Sequence, residues 1–436
     1  MMKTERLSKL AVIDISNVDK KIKAGEKSVR LCNFVDVYHN WAITKNMYND
    51  LMLATANENQ IARFSIKKGQ VAITKDSETR DDIGIPAYMA DDFDDVVLGY
   101  HCALITPIDG VLSGAYLNVV LHSPYAGKYF EANASGSGQR YTLTNEIIGN
   151  FPVPIIPLKE QERIASIFES IDRKLETNNA IISELESMAK DIYDYWFVQF
   201  DFPDENGKPY RACGGKMVWN DELKREIPDG WAVKTINSLV SASRGISYST
   251  ESITGTAGVP MINLASFNVD ASYKPAGLKV FSGDYSKEDV LRPFDLIMCN
   301  TQQTDLDPKK DIIGKTMLVP DLFDGDIVSS HHITHLQTED LSMRVFLNAT
   351  GKTAWFHKAM SGHCSGTSIL GLDVKHALEY KLSIPEKSIR LSFTEKIIPI
   401  EKQKCVLMRE NAELTSLRDW LLPMLMNGQV KAGGVE

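Results

Sequence analysis

The sequence predicts an α+β fold, with two β-rich globular domains separated by two long antiparallel helices that form an intramolecular coiled coil. Three observations predict it. Two segments show heptad periodicity, the second half of the chain repeats the first, and an aromatic, turn-rich segment lies between the halves. The repeat gives the architecture a pseudo-twofold character. A chain of 436 residues has room for two or three such domains.

Composition narrows the class of protein. The hydrophobic fraction of 43% is typical of a globular chain, and no apolar run approaches the roughly 20 residues of a membrane span. The six cysteines are scattered and form no C-x-x-C pair, which predicts reduced thiols in a cytoplasmic protein. The formal net charge of −9 does not by itself indicate nucleic-acid binding.

The duplication defines the order of the domains. The stretch "ASGSGQRYTLTNEIIGNFPVPIIP" ends at Pro157 and "CSGTSILGLDVKHALEYKLSIP" ends at Pro385, so that Gly138 and Gly366 precede their prolines by the same distance. A period of about 230 residues is too long for a solenoid and indicates a duplicated domain–helix unit. The expected boundaries are 1–155 for the first globular domain, 156–196 for the first helix, 197–229 for a connector, 230–385 for the second domain, 386–428 for the second helix and 429–436 for a tail.

The first long helix follows Pro157. Its seam positions recur in steps of three and four, which describes a narrower stripe than that of an ordinary surface helix. These positions are Ile164, Phe168, Ile171, Leu175, Asn178, Ile182 and Leu185. Asn178 is the polar exception. It either fixes the register and the partner of the helix or is a tolerated polar residue at a hydrated position.

The second long helix shows the same period. Ile400, Leu407, Leu414 and Leu421 recur at intervals of seven, and Leu417 adds a second line. Pro399 lies inside this pattern, so we expect the helix either to kink there or to begin there. Two heptad helices in one chain most simply pair with each other. The alternative is that each helix packs separately on its own domain.

The connector is unlike a simple tether. It contains the turn signals Asn206-Gly207 and Gly214-Gly215 together with several aromatic residues, whereas flexible tethers are rich in serine and glycine. We therefore expect this segment to pack, either on its own chain or on another protein.

The segments that resemble catalytic, cofactor-binding or metal-binding motifs each lack a residue that the motif requires. "IIGKT" at 312–316 resembles the end of a phosphate-binding loop, but Lys309 stands where that motif needs glycine. "SGSGQR" lacks the third glycine of a dinucleotide fingerprint. The histidines of "SSHHITHL" are better interpreted as part of a strand than as a zinc site, and no carboxylate lies at metal-ligand spacing. The sequence therefore predicts no catalytic, cofactor-binding or metal-binding residue.

Polar loops occur at equivalent places in both halves: 74–82 matches 300–311, and 133–141 matches 360–368. Amide, guanidinium and hydroxyl groups bind base edges, and lysines neutralise phosphates, although ordinary turn chemistry is the alternative. The candidate DNA-contacting residues of the first half are Lys75, Ser77, Glu78, Thr79, Arg80, Tyr100, His101, Ser135, Ser137, Gln139 and Arg140. Those of the second half are Thr301, Gln302, Gln303, Thr304, Lys309, Lys310, His331, His332, Ser361, His363, Ser365 and Thr367.

Several segments resemble a known family. The opening "PLKEQERIASIFESID", the connector "YDYWFVQFDFP…NGKPY…GGKMVWNDELKREIPDGW" and the ending "LRDWLLPMLMNG" resemble the DNA-specificity (S) subunit of type I restriction–modification systems. The likeness covers essentially the whole chain, and the connector is its most specific part.

The resemblance implies a division of labour. Each globular domain would be a target-recognition domain for one half of a split double-stranded DNA target, and the helices would set the unread spacer. Two methyltransferase subunits would dock on the chain and supply S-adenosylmethionine and adenine-N6 methylation. Restriction subunits would add ATP- and Mg-dependent translocation and cleavage. The chain itself would hold no cofactor and would not contact a membrane.

Two alternatives from other classes of protein remain at this point. One is a stand-alone DNA-modifying enzyme with an unrecognised active site, which methylation by the isolated chain would reveal. The other is a coiled-coil adaptor that binds no nucleic acid, which would show no salt-dependent duplex binding.

Overall fold

The computed structural model describes residues 3–138, 140–253, 255–303 and 311–426. Its internal contacts divide the chain into two compact units. Unit 1 comprises Met1–Asn178 and Glu410–Glu436, and unit 2 comprises Asn179–Arg409. Each unit therefore contains one globular domain and a part of both long helices.

The elements up to the end of the first long helix are, in chain order, β1 Thr4–Arg6, β2 Ala11–Ile15, β3 Lys27–Cys32, α1 Phe34–His39, β4 Ala42–Ile43, β5 Met52–Ala56, α2 Glu58–Phe64, β6 Val71–Thr74, β7 Asp76–Ser77, β8 Pro86–Met89, β9 Val96–Leu98, β10 Cys102–Pro107, α3 Gly114–Leu121, α4 Pro124–Asn133, β11 Ser135–Ser137, β12 Arg140–Thr142, α5 Asn145–Gly149, β13 Pro152–Pro154 and α6 Leu158–Tyr193.

The remaining elements are a π-helical turn Asp194–Val198, β14 Met217–Asn220, β15 Arg225–Pro228, β16 Ala232–Thr235, β17 Ser241–Arg244, β18 Val259–Ile262, β19 Lys279–Phe281, β20 Leu296–Cys299, β21 Thr301–Gln303, β22 Thr316–Leu318, β23 Val328–Ser329, β24 Ile333–Gln337, α7 Leu341–Gly351, α8 Ala354–Ser361, β25 Cys364–Ser365, β26 Ile369–Leu372, α9 Val374–Ala377, β27 Lys381–Ile384 and α10 Lys387–Met426. Within the described residues, no helix is both long and apolar enough to cross a membrane.

The centre of unit 1 is a five-stranded sheet in the order β2-β10-β6-β8-β4. Strand β6 is buried along its whole length, which is why it reads as an uninterrupted apolar run. Its side chains alternate between the faces. Val71 and Ile73 join the core that contains α3 and α4, whereas Ala72 joins a second core on the other face. Helices and loops therefore cover both faces of the sheet.

Unit 2 repeats the topology of unit 1. The order β17-β24-β20-β22 corresponds to β2-β10-β6-β8, and β19-β18-β23 corresponds to β5-β3-β9. The terminal pair β16-β27 likewise corresponds to β1-β13. Strand β20 alternates as β6 does, because Leu296 and Met298 enter one core and Ile297 and Cys299 enter another. The predicted duplication is confirmed at the level of strand order.

The long helices pair in unit 1. Asn178 is fully buried, and its Nδ2 donates to Glu410 Oε2 at 2.8 Å and to Asn411 Oδ1 at 2.9 Å. Further toward the N-terminus of α6, Phe168 shares a core with Leu422. Contacts that move backward along α6 thus move forward along α10, so the two segments are antiparallel in unit 1.

The helices also pair in unit 2. Glu186 forms an ion pair with Lys404, and the rings of Trp196 and Phe393 lie 5.8 Å apart between centroids. Contacts that move forward along α6 move backward along α10, so this pair is antiparallel as well. The predicted pairing is therefore confirmed inside each unit, and the alternative of separately packed helices is wrong.

The seam of α10 differs from the prediction at Leu417, which is 44% exposed and lies outside the seam. Steps of four and three from Phe393 place the second line at Ile397, Lys404, Asn411 and Arg418. Polar side chains are tolerated on this line because they have partners. Lys404 pairs with Glu186, and Asn411 accepts a hydrogen bond from Asn178. The sequence pattern indicated Leu417, the apolar neighbour of Arg418, instead of Arg418 itself.

The second long helix does not begin at Pro399, which was one of the two expectations for that residue. Helix α10 starts at Lys387 and continues through Pro399, whose side chain is exposed. A start at Pro399 is therefore wrong.

The connector packs on its own chain. Phe197, Phe200, Phe202 and Trp231 belong to the core of unit 2, where the rings of Phe202 and Trp231 stack at 5.4 Å. Strands β14 and β15 form a hairpin beyond them, and it leaves Trp219 61% exposed. The aromatic composition of the connector is thus explained by intramolecular burial for most of these residues.

Candidate nucleic-acid interface

The two polar loops of the first half meet in one small sheet. Loop 74–82 contributes β7, and loop 133–141 contributes β11 and most of β12, which pair in the order β11-β12-β7. Tyr141 lies opposite Ser77, and Thr142 lies opposite Asp76. We call this three-stranded sheet the loop sheet of unit 1. Segments that are far apart in sequence therefore present their side chains together.

The second half of the chain contains an equivalent three-stranded sheet. Strands β25, β26 and β21 pair in the order β25-β26-β21, which we call the loop sheet of unit 2. Thr301 lies opposite Gly371, and Gln302 lies opposite Leu370. The loops that the sequence singled out in pairs are thus neighbours in both units.

A tight glycine turn in each loop sheet shows which residues of the two sheets correspond. Gly136 has a φ of 144°, and a Cβ added to it would lie 2.1 Å from the backbone oxygen of Arg140. Gly366 has a φ of 121°, and its added Cβ would lie 2.0 Å from the backbone oxygen of Ile369. The structural counterpart of Gly366 is therefore Gly136, and the sequence-based match with Gly138 is wrong by two positions. Arg140 and Ile369 consequently occupy equivalent places.

Asp76 is the centre of the polar cluster in unit 1. Its Oδ2 accepts from Lys75 Nζ at 2.7 Å and lies 2.5 Å from His101 Nδ1 and 3.3 Å from Arg140 Nη2. Burial raises the pKa of Asp76, but hydrogen bonds from Lys75, His101 and Thr142 outweigh it and hold this pKa well below its usual value. The carboxylate therefore stays ionised and anchors the cations around it.

His101 is held by its backbone as well as by its ring. Its φ of 71° is left-handed, and its backbone oxygen accepts from the Lys75 amide at 2.8 Å. Arg140 Nη2 lies 2.7 Å from His101 Nδ1. That nitrogen carries a proton when it donates to Asp76 and none when it accepts from Arg140, so the two bonds exclude each other. The ring of Tyr100 lies 3.8 Å from that of His101.

Arg140 stands between two open clefts. One is lined by Tyr38, Glu78 and Thr79, and the other by Asn17, Tyr100 and Ser135. The side chain of Arg140 is 59% exposed. Its guanidinium is therefore accessible to a ligand in either cleft.

The other candidates of the first half are distributed around this cluster. Glu78, Thr79 and Arg80 are exposed, and the Arg80 guanidinium lies 5.1 Å from the centroid of the Tyr141 ring. Ser77 Oγ accepts from the Thr79 amide at 3.2 Å. Ser135 Oγ donates to the backbone oxygen of Thr142 at 3.2 Å. The side chain of Ser137 and the whole of Gln139 lie outside the described residues.

Unit 2 has an uncharged version of the same cluster. The Asn300 amide donates to the backbone oxygen of His332 at 3.0 Å, which parallels the bond between Lys75 and His101. Thr301 then stands where unit 1 has Asp76, and its Oγ1 donates to Asn300 Oδ1 at 2.8 Å. Ile369, the counterpart of Arg140, is 61% exposed. An ion-paired site in one unit is thus matched by a neutral site in the other.

The rings of His331 and His332 are in contact, with centroids 3.9 Å apart and planes tilted by 41°. Both Nδ1 atoms are buried, and neither has a hydrogen-bond partner among the described residues. Burial, and then the neighbouring charges, lower the pKa of His332. Both residues lie in a turn just before β24, so the strand prediction is wrong for this pair, and the turn is not a helix that would place them as metal ligands.

The remaining candidates of the second half fall into three groups. Gln302 is buried, and its Oε1 accepts from the Ile312 amide at 2.5 Å, so its amide oxygen holds the chain in place. Ser361 Oγ donates to the backbone oxygen of His357 at 2.9 Å. The exposed candidates are His363, Ser365 and Thr367. The side chain of Gln303, and Thr304, Lys309 and Lys310 entirely, lie outside the described residues.

Sequence reasoning missed three residues of these sites. Asp76 is one of them, although its place beside Lys75 was a usable signal. Asn300 is buried, and its Nδ2 donates to Thr334 Oγ1 at 2.9 Å. Ile369 carried no signal, since an apolar side chain at the tip of a loop is uninformative in sequence alone.

The glycine turn offers a direct test. In a Gly136→Ala variant the new methyl group would collide with the Arg140 backbone at a φ that L residues avoid, so we expect the free energy of unfolding to fall by about 1–3 kcal/mol. Chemical denaturation measures this difference. Gly138→Ala is the matched control, because its φ of 59° is also left-handed and carries the backbone strain, whereas its added Cβ meets nothing within 4 Å. Equal destabilisation by both variants would contradict the close approach at Gly136.

Comparisons with known proteins agree on one family. Residues 12–187 match a family model described as the type I restriction modification DNA specificity domain. The HindI specificity subunit of Haemophilus influenzae is 26% identical over 424 residues, covering 85% of this chain and 88% of that protein. The MjaIX specificity subunit of Methanocaldococcus jannaschii is 22% identical over 334 residues, covering 75% of this chain and 71% of that protein.

A solved structure shares the fold. The crystal structure of the S subunit of a type I restriction–modification system from M. genitalium matches with a TM-score of 0.54 and 13% sequence identity. The match covers 97% of this chain and 95% of that one. At this identity the likeness concerns the fold alone.

Proposed function

We propose that this chain belongs to the family of type I restriction–modification specificity subunits, that it recognises the DNA target of such a complex and that it performs no chemistry itself. One observation carries the proposal. The chain contains the same loop sheet twice, on the same sheet topology, with different side chains at equivalent places. This is the arrangement expected of a protein that reads two different short sequences.

Each unit reads one half of a bipartite target. Several side chains of the loop sheets are exposed, and the strands beside them are buried, which is how folds present binding residues. Arginine, histidine and hydroxyl side chains on these sheets match the hydrogen-bonding groups of the major groove. Residues 1–155 and 230–385 are accordingly the two target-recognition domains.

The helix pair sets the unread spacer and docks two methyltransferase subunits. Outside the seam, both helices also carry apolar side chains that are exposed. On α6, Ile181 and Met188 lie one heptad apart and are 40% and 51% exposed. On α10, Leu417 and Trp420 are 44% and 56% exposed. Repeated apolar exposure on a helix favours coverage by another protein.

The partner subunits supply what this chain lacks. The methyltransferase subunits would bind S-adenosylmethionine and methylate adenine N6, and the restriction subunits would bring ATP- and Mg-dependent cleavage. A formal net charge of −9 opposes DNA binding by the free chain. Basic surfaces on partners that surround the duplex would offset it. All of these steps would take place in the cytoplasm.

Methylation-site sequencing tests the proposal. In cells that express the chain with its methyltransferase subunits, we expect one bipartite motif with a spacer of constant length. Adding one heptad to α6 after Asn178, with a matching heptad in α10, should lengthen the spacer and leave both half-sites unchanged. The isolated chain is the control and should methylate nothing. Methylation without partners, or a spacer that ignores the insertion, would contradict the proposal.

A further inference from the structure

Arg140 and Ile369 are the two exposed side chains that most clearly distinguish the loop sheets. Each follows a glycine turn of the same geometry, and the backbone oxygen of each lies against that glycine. Each begins the middle strand of its three-stranded sheet. A duplex that met both sheets in the same way would therefore meet a guanidinium in unit 1 and a branched aliphatic group in unit 2.

The surroundings of Arg140 suit a directional acceptor. The ionised carboxylate of Asp76 lies 3.3 Å from its Nη2 and is itself paired with Lys75, so one edge of the guanidinium is held in place while its other donors stay available. A guanine edge offers O6 and N7, which are uncharged acceptors that suit the arginine fork. The contact with Asp76 also fixes Nη2, so less rotamer freedom is lost when the remaining donors bind a base.

The surroundings of Ile369 favour an apolar partner. Within the part of the chain that the structure describes, Thr301 occupies the position that Asp76 holds in unit 1, so the exposed Ile369 side chain has no charged counterpart of Asp76 there. An aliphatic side chain offers no hydrogen bond to a base edge. The apolar group that the major groove presents is the C5 methyl of thymine, with which such side chains make favourable contact.

We infer that Arg140 reads a guanine in the half-site of unit 1 and that Ile369 reads the methyl group of a thymine at the equivalent position in the half-site of unit 2. This inference rests on the proposed function. It adds the identity of one base in each half-site and the residue responsible for it. Asp76 and His101 act through Arg140 and are positioning residues.

Modified bases test the inference without changing the protein. With the complete methyltransferase complex, we expect 7-deazaguanine at one guanine of the first half-site to weaken duplex binding, because the analogue lacks N7. Uracil at one thymine of the second half-site should weaken binding as well, because it lacks the methyl group. If no guanine in the first half-site responds, or no thymine in the second, that part of the inference is wrong.

Variants then assign the responding bases. An Arg140→Gln complex should bind the normal and the 7-deaza duplex equally and should shift preference from guanine to adenine at that position alone. The lost discrimination is expected to be roughly 5- to 150-fold, the usual range for a bidentate contact. An Ile369→Ala complex should become insensitive to uracil and keep the first half-site unchanged.

Arg80 supplies the matched control, since it is exposed on the loop that also carries Asp76. Arg80→Gln should leave the response of Arg140 to 7-deazaguanine intact. If Arg140→Gln lowers affinity equally for all sequences and reduces the salt dependence, Arg140 contacts phosphate and the inference fails. If the unmodified complex shows no preferred duplex at all, the proposed function itself fails. The two failures are therefore distinguishable.

Discussion

Replacing Phe393 by alanine is expected to lower the free energy of unfolding of unit 2 by about 3–5 kcal/mol. Phe393 is fully buried, and its ring lies 4.8 Å from that of Phe197 and 5.8 Å from that of Trp196. Removing it leaves a cavity where α10 meets the end of α6. Chemical denaturation followed by tryptophan fluorescence measures the loss, since Trp196 and Trp231 lie in the same core.

A matched control lies on the same helix. Leu391 is 47% exposed, and Leu391→Ala should change the free energy of unfolding by no more than about 0.5 kcal/mol. Similar losses in both variants would mean that the aromatic core does not hold the two helices together in unit 2.

The second large effect is expected from Glu186→Gln, which removes the carboxylate from a buried ion cluster. Glu186 pairs with Lys404, whose side chain is 6% exposed, and its Oε2 lies 3.1 Å from Lys352 Nζ. Removing one partner of a buried pair usually costs 3–5 kcal/mol. We expect about 3 kcal/mol here, because Glu401 still accepts from Lys404 at 2.8 Å. Glu184→Gln is the control, as Glu184 is exposed on the same helix.

The same cluster predicts a pH dependence. Burial raises the pKa of Glu186, but the charges of Lys352 and Lys404 outweigh it and lower this pKa from 4.5 to about 2. A carboxyl whose folded pKa is depressed stabilises the protein fully above its unfolded pKa and loses that contribution as the pH falls toward the folded value. The difference in stability between the wild type and Glu186→Gln should therefore be constant above pH 4.5 and shrink toward pH 2. A difference that stays constant down to pH 2 would exclude the ionised carboxylate as its source.

Heptad reasoning located Asn178 and the apolar seam positions of α6, but it missed the polar seam positions of α10. Phe168, Ile171 and Ile400 are buried as the period requires. Lys404 is buried too, but a lysine in a pattern indicates a solvated face until its carboxylate partner is known. Two heptads further along the same line, the pattern favours Leu417 over Arg418, because hydrophobicity is the only signal that a single helix provides. The pairing of Asn178 with Glu410 and Asn411 likewise depends on a second helix.

The polar loops show a similar division. Their positions were predictable because turn residues and strand periodicity are local properties of the chain. The bond of Gln302 to Ile312 and the contacts of Asp76 with His101 and Arg140 were not predictable, since each joins residues that are not neighbours in the sequence. Gln302 looked like a base-reading residue, yet its amide oxygen accepts from the backbone of Ile312.

The sequence by itself determined the duplicated domain–helix plan, the antiparallel pairing of the helices and the location of the polar loops, because periodicity and repetition are properties of one dimension. Only the tertiary structure decided which polar residues fill the seam, that Gly136 is the counterpart of Gly366, and that Arg140 and Ile369 stand at equivalent places. These outcomes depend on close approaches between segments remote in the chain. Short-range repulsion and ion pairing act through space, and spacing along the sequence does not reveal them.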